Sequence, residues 1–221
     1  MWLWKTIEDQ RSKTKNYSES SEEKITSCGG IGRHARLQSV CRKACRFESD
    51  LEDNNVIGML KVLDFPMREQ KYDFDCSVAA AWSFLKFHKI KIDYNTLLKA
   101  SKVCPVDGLH PQKLVNLIRK FGLDVELLEH KNIRFLKGQI NKGNPVIILL
   151  QHRKEYNKSW EDTWIYGHYG VMFGYDNDND KVFIYNPSIG GIKILTYEQL
   201  NSRWHDEWNG GLFIKTVIVI N

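Results

Sequence analysis

From about residue 57 onward, apolar positions recur along the chain, and their spacing changes from helical to alternating as the sequence proceeds. The segment IGMLKVLDFPM, residues 57–67, reads as extended, and Pro66 confines it to an edge or a strand end. Val78, Trp82 and Leu85 then recur at helical spacing, which predicts a helix from about Cys76 to Phe87 with Asp73 or Asp75 as its cap. Asp93 opens a second helix, DYNTLLKAS. HPQKLVNLIRKFG forms a third, with Pro111 in its first turn and Gly122 as its stop. Beyond these the apolar runs shorten. DVELLEH and PVIILLQH read as strands, the second so continuously apolar that it suits a strand covered on both faces. After the polar, aromatic run 152–166, which has no period, GHYGVMFGYD, KVFIYNP, GIKIL and LFIKTVIVI predict four more strands, with TYEQLNSRW as a helix before the last. No internal repeat is evident. Helices first and strands after predict an α+β domain with a mainly antiparallel sheet.

The first 56 residues differ. KTIEDQRSKTKNYSESSEEK is rich in Ser, Lys and Glu and lacks periodic apolar positions, so disorder is expected there. The basic run CGGIGRHARLQSVCRKACRFESDL has no helix or strand period either. Its Arg46-Phe47-Glu48-Ser49 is what the codons CGG TTC GAA TCC encode, a string resembling the T-arm of a transfer-RNA gene. Residues 1–56 are accordingly expected to be a disordered or spurious extension, with Met59 or Met67 as candidate true starts and 57–221 as the domain. A transfer-RNA cloverleaf in the nucleotide sequence would bear this out, and its absence would end the idea.

Composition narrows the picture little further. In 221 residues, 42% hydrophobic and 27% charged, no apolar run approaches the roughly 18 residues that a membrane helix requires, so no membrane span is expected. The start MWLWKTIEDQR lacks a secretory core. Five cysteines without framework spacing fit reduced thiols, and so a cytoplasmic location. The net charge of +5 is spread among Glu and Asp, which argues for a solvated surface and against a nucleic-acid partner.

Chemistry concentrates around QKYDFDCSVAAAW, where Cys76 opens a helix. A thiol attacks carbonyl carbon as thiolate, and the exposed N–H groups of a first helical turn are expected to lower the Cys76 pKa. Such a nucleophile also needs an imidazole to take and return the proton, a group to orient it, and donors for an oxyanion. His168 stands at the mouth of a strand between Gly167 and Gly170; Asn186 ends the next strand before Pro187. An antiparallel pair joined at DNDND brings the two near one another. Gln70, six positions before Cys76, can send its amide over the helix start. Taken singly, each of these residues also suits a plain structural role, Cys76 as a small apolar core residue and His168 as a hydrogen-bonded core histidine.

Gln, five residues, Cys opening an Ala-rich helix, Gly-His-Tyr-Gly-Val in a strand, a strand ending in Asn-Pro and a late Trp together resemble the C39-like branch of papain-like cysteine peptidases, the double-glycine peptidases. The resemblance spans about residues 60 to 221. It implies the papain-like fold, with N-terminal helices packed on the sheet, and a cysteine peptidase in which Cys76 is nucleophile, His168 general acid/base, Asn186 its orienting partner, and Gln70 oxyanion donor with the Cys76 N–H. It implies peptide substrates, leader peptides with small residues before the cut among them, a chain that is either free-standing or works with a separate transporter partner, and no cofactor. Ser77 replaces the family's usual Gly, which is expected to narrow the cleft, and Asn186 replaces its usual Asp, as in papain itself. Two other readings remain: a non-catalytic peptide-binding domain, and an acyl or peptidyl transferase like the phytochelatin synthases. The run 152–166 is expected to form a flap over the cleft.

Other motifs carry less. Cys28, Cys41 and Cys45 with His34 lack the paired spacing of zinc sites, and the acidic run from Asp176 lacks the Gly and Glu of a calcium loop, so no metal is expected. Cys104 reads as structural; His110 and His205 have no flanking catalytic pattern.

Overall fold

The computed structural model describes residues 60–221; the readings placed on residues 1–56 and at Met59 lie outside the described residues. Strand β1 (Leu60–Val62) is followed by helices α1 (Cys76–Phe87), α2 (Tyr94–Ser101) and α3 (Pro111–Lys120). Then come β2 (Val125–Leu128), α4 (Ile133–Asn141), β3 (Val146–Gln151), β4 (Gly167–Asp176) and β5 (Lys181–Asn186). A 3-10 turn (Pro187–Ile189), β6 (Gly191–Thr196), α5 (Tyr197–Arg203), β7 (His205–Trp208), β8 (Gly211–Ile214) and β9 (Val217–Ile220) complete the described order.

The helix boundaries follow local chemistry. Asp93 accepts the Thr96 N–H, His110 accepts the Gln112 N–H ahead of Pro111, and Thr196 forms a reciprocal capping box with Gln199. Asp75 stands at the N-cap of α1 but gives it no side-chain bond. Its carboxylate instead accepts the Lys71 and Tyr72 N–H groups and the Tyr94 hydroxyl, tying the turn before α1 to α2.

Seven strands form one antiparallel sheet in the order β2-β9-β3-β4-β5-β6. β1 pairs with the far end of β4, placing Leu60 opposite Asp176. β3 runs between β9 and β4 and is buried throughout. Its alternate side chains enter two cores, Ile147 and Leu149 the one beneath α1–α3, Val146, Ile148 and Leu150 the one beneath α4 and α5. Helices therefore cover both faces, which is why the run is apolar without alternation. A register shift between Met172 and Gly174 lets Tyr175 join the second core. The second sheet is the hairpin β7-β8.

Three expectations needed revision. LFIKTVIVI is two strands, since Lys215 turns left-handed (φ 48°) between β8 and β9. α4 and β7 were not foreseen.

Candidate active site

The packing of α1 against the sheet brings the N-terminus of that helix to the end of the strand pair β4-β5. Cys76, His168 and Gln70 all line one cleft of about 560 Å3 there. Asn186 ends β5 and is buried behind the imidazole, with His168 Nε2 2.9 Å from Asn186 Oδ1.

The protonation of that imidazole follows from the bonds around it. The Ser188 N–H donates to Asn186 Oδ1 at 3.1 Å, so this atom is the carbonyl oxygen. His168 Nε2 shares the same acceptor and must therefore carry the ring proton, leaving Nδ1 as the basic nitrogen. Burial holds the His168 pKa down at about 3, neighbouring His152 adds to this, and the Asn186 bond works against it. His152 lies with its ring centroid 4.6 Å from that of His168, and burial also lowers it, to about 4.

Cys76 is half-buried. Burial pushes its thiol up to about 11, although the backbone groups of Tyr169 and Ser77 pull it down; Asp75 and Asp206 raise it further. This corrects the expectation from the helix start alone: dehydration of the sulfur outweighs the first-turn amides. The two shifts hold both groups that line this cleft, the thiol and the imidazole, toward their neutral forms. Ser77, expected to narrow the cleft, is wholly buried and lines neither groove beside Cys76.

Gln70 is held by the turn that follows Asn186. Its N–H donates to Pro187 O at 2.9 Å, the Tyr185 hydroxyl bonds to Arg68 O, and Ser188 Oγ lies 3.4 Å from Gln70 Oε1. One Nε2 hydrogen goes to Tyr72 O at 2.8 Å, and the amide has a second to offer a ligand. Gly190 makes the approach feasible: it is left-handed (φ 55°), and a Cβ there would lie 2.7 Å from Glu69 N.

A second groove, of about 610 Å3, opens on the other side of Cys76 and shares Asp73, Cys76, Ile165 and Gly167 with the first. The segment 152–166 borders both grooves through Ile165. It is also fastened to its surroundings: Thr163 is buried with its carbonyl bonded to His205 Nε2 at 2.8 Å, Tyr166 N–H donates to Gln151, and Arg203 lies 3.5 Å over the Trp160 ring.

With this geometry in view, comparison with known proteins gives a family. The model of the peptidase C39 family matches residues 64–208, well over half of the chain. The chain belongs to the peptidase C39 family. Among solved structures, this C39 chain resembles a protein described as a C39-like peptidase from Bacillus anthracis, at 18% identity and TM-score 0.58 over 74% of this chain and 98% of that one. It also resembles the peptidase domain of Streptococcus ComA, a bi-functional ABC transporter involved in quorum sensing, at 19% identity and TM-score 0.51 over 72% and 96%. A third is a double glycine motif protease from an AMS/PCAT transporter, in complex with its leader peptide, at 15% identity and TM-score 0.50 over 73% and 97%. At these identities the likeness establishes the papain-like α+β fold expected from the sequence. No curated protein sequence matches the chain.

Two side chains of this C39 domain were missed by sequence reasoning. His152 directly follows β3 and meets His168 only because β3 and β4 pair. Asp206, beside His205 in a Trp-rich stretch, comes to the groove that Cys76 lines only through β7. No helix among the described residues is long and apolar enough to cross a membrane.

Proposed function

We propose that this chain is a cysteine peptidase that cleaves a peptide bond through a thioester acyl-enzyme. The observation that carries the reading is the meeting of Cys76, His168 and Gln70 in one cleft, with Asn186 bonded to the imidazole nitrogen that leaves Nδ1 basic.

In this mechanism Cys76 Sγ attacks the scissile carbonyl while its proton passes to His168 Nδ1, so the neutral resting pair becomes ionic only as the S–C bond forms. The developing oxyanion is met by the second Nε2 hydrogen of Gln70 and the Cys76 backbone N–H. His168 then gives the proton to the departing amine as the C–N bond breaks. Water, deprotonated by the same nitrogen, releases the acid and restores the thiol. Asn186 keeps the ring in one tautomer, and its second bond, from Ser188, couples that orientation to the turn holding Gln70.

The family, and the fold likeness to a double glycine motif protease in complex with its leader peptide and to an ABC-transporter peptidase domain, support peptides, leader peptides among them, as substrates, and a separate transporter as a partner. Transfer of the acyl group to an amine would use the same intermediate, and product analysis separates it from hydrolysis.

The test is intact-mass measurement under non-denaturing conditions after incubation with substrate-like peptide aldehydes. The wild type should gain one adduct, Cys76→Ala none, and His168→Ala should turn over peptide roughly a hundredfold more slowly or worse. No wild-type adduct and no hydrolysis of any peptide would leave a non-catalytic peptide-binding domain as the better reading.

A further inference from the structure

The groove beside Cys76 that lacks His168 has an uneven chemistry. Four carboxylates, from Asp73, Asp107, Asp206 and Glu207, line it, and none of its lining residues is Lys, Arg or His. Its remaining wall is largely apolar, with Val106, Leu109, Trp164, Ile165 and Trp208. Acidic side chains at a surface are ordinary, but Asp206 is not at the surface: it is 7% exposed.

Its two oxygens are treated differently. Oδ1 accepts from Gln151 Nε2 at 3.2 Å and from the Glu207 N–H at 2.9 Å, whereas Oδ2 has no hydrogen-bond partner among the described residues. The carboxylate lies against the bare backbone of Gly167, the residue before His168, where a Cβ would come within 2.3 Å of Oδ2. A buried carboxylate with one oxygen unmatched, in a groove without a cation, is a site lacking its counter-charge. It also stands close enough to Cys76 for its charge to oppose formation of the thiolate. A cation beside Asp206 would remove that opposition.

The direction of the substrate follows from the proposed reaction, on which this inference rests. His168 must protonate the departing amine, so the leaving chain lies along the cleft that contains His168, and the acyl portion lies in the other groove.

We propose that this second groove is the acyl-side subsite and takes the basic side chain of a lysine or arginine, its stem along the apolar wall and its charge on Asp206 Oδ2. Long basic side chains suit such a lining because their methylenes cover apolar surface while the charged end seeks a carboxylate. Asp206 is then a specificity-determining residue, one that small residues before the cut would leave unpaired.

The experiment uses acetyl-Ala-Ala-Ala peptides in which one alanine at a time is replaced by Lys, norleucine or Glu, as amides for binding to Cys76→Ala by calorimetry and as aldehydes for adduct formation with the wild type. At one position Lys should bind at least about tenfold more tightly than norleucine, Glu should bind worst, and adding Asp206→Asn should abolish the Lys preference. The asparagine keeps the Gln151 bond, and a thermal melt of each variant verifies folding. Equal affinity for Lys and norleucine at all three positions, no binding of any peptide, or a Lys preference that survives Asp206→Asn overturns the proposal. Aldehyde adducts formed equally with all three side chains would sink this subsite and leave the peptidase reading standing; a Lys preference in binding without adduct or turnover would do the reverse.

Discussion

Replacing Asp206 by asparagine removes one charge and leaves the shape of the side chain nearly unchanged, so its effect on stability isolates the cost of burying that charge. Burial raises the Asp206 pKa from 3.8 to about 7, with adjacent Glu207 adding to the rise and the bonds from the Glu207 N–H and Gln151 opposing it. Between those two values the folded protein keeps the proton and the unfolded chain has lost it. The folded state binds more protons, and stability falls as pH rises. This is the reverse of a carboxylate held by a salt bridge. Integrated over the interval at about 1.4 kcal/mol per pH unit, the loss is about 4 kcal/mol.

Asp206→Asn has no such titration. It should match the wild type near pH 4 and exceed it by about 4 kcal/mol at pH 8, roughly 8–16 °C in melting temperature for a domain of this size. The depressed histidines His152 and His168 titrate in both proteins and largely cancel in the difference. Urea unfolding of both proteins at pH 4.5, 6 and 8 measures the gap. Parallel profiles, or a gap that shrinks as pH rises, would refute the reasoning and show that Asp206 is ionised and well solvated in the folded protein.

Two further substitutions probe the rest of the site. Asn186→Asp retains an acceptor for His168 Nε2 and for the Ser188 N–H but adds a negative charge that favours imidazolium, so the acid limb of kcat/KM should move to higher pH; an unmoved limb would mean that His168 does not control it. Gly190→Ala puts a Cβ on a left-handed residue and within 2.9 Å of the Glu69 backbone, which should destabilise the fold by about 1–2 kcal/mol and, by displacing the segment that carries Gln70, lower kcat more than it raises KM; steady-state kinetics with urea midpoints would check both.

Much of this was legible because local chemistry and tertiary packing agree. Asp93, Pro111, Gly122 and Thr196 mark helix ends by bonds or backbone geometry that involve only their own neighbours, and the doubly buried β3 is a continuous apolar run. Gln70, Cys76 and His168 were singled out as candidates because their order and spacing resemble a family pattern, and the structure places all three on one cleft, which chain separation alone would not indicate. The hairpin β7-β8 was missed although its signal was present. Asn209 and Gly210 both have positive φ, 48° and 80°, the turn that an Asn-Gly pair favours between paired strands. α4 was weaker in sequence, with Gly138 in its interior and only Leu136 and Ile140 fully buried; the Asn132 cap and their spacing were its remaining marks. The direction of the Cys76 shift was not legible at all, because the helix start speaks only of its amides, whereas the burial that raises the thiol comes from tertiary packing against the core.

The electrostatics of the two grooves belong to one device in the proposed mechanism. Burial makes both the thiolate and the imidazolium unfavourable before substrate arrives, and the Asp206 charge acts against the thiolate from the other side. A bound peptide changes each of these together: it excludes water, presents a carbonyl whose attack draws the thiol proton to Nδ1, and, if it carries a basic side chain, neutralises Asp206. Reactivity of Cys76 would then depend on which peptide occupies the groove. A small thiol reagent should accordingly label the free protein slowly at neutral pH, and labelling should accelerate when a Lys-containing cleavage product, but not its norleucine counterpart, occupies the acyl side without covering the sulfur. Equal acceleration by both products would separate the activation of Cys76 from the charge on Asp206 and return the effect to exclusion of water alone.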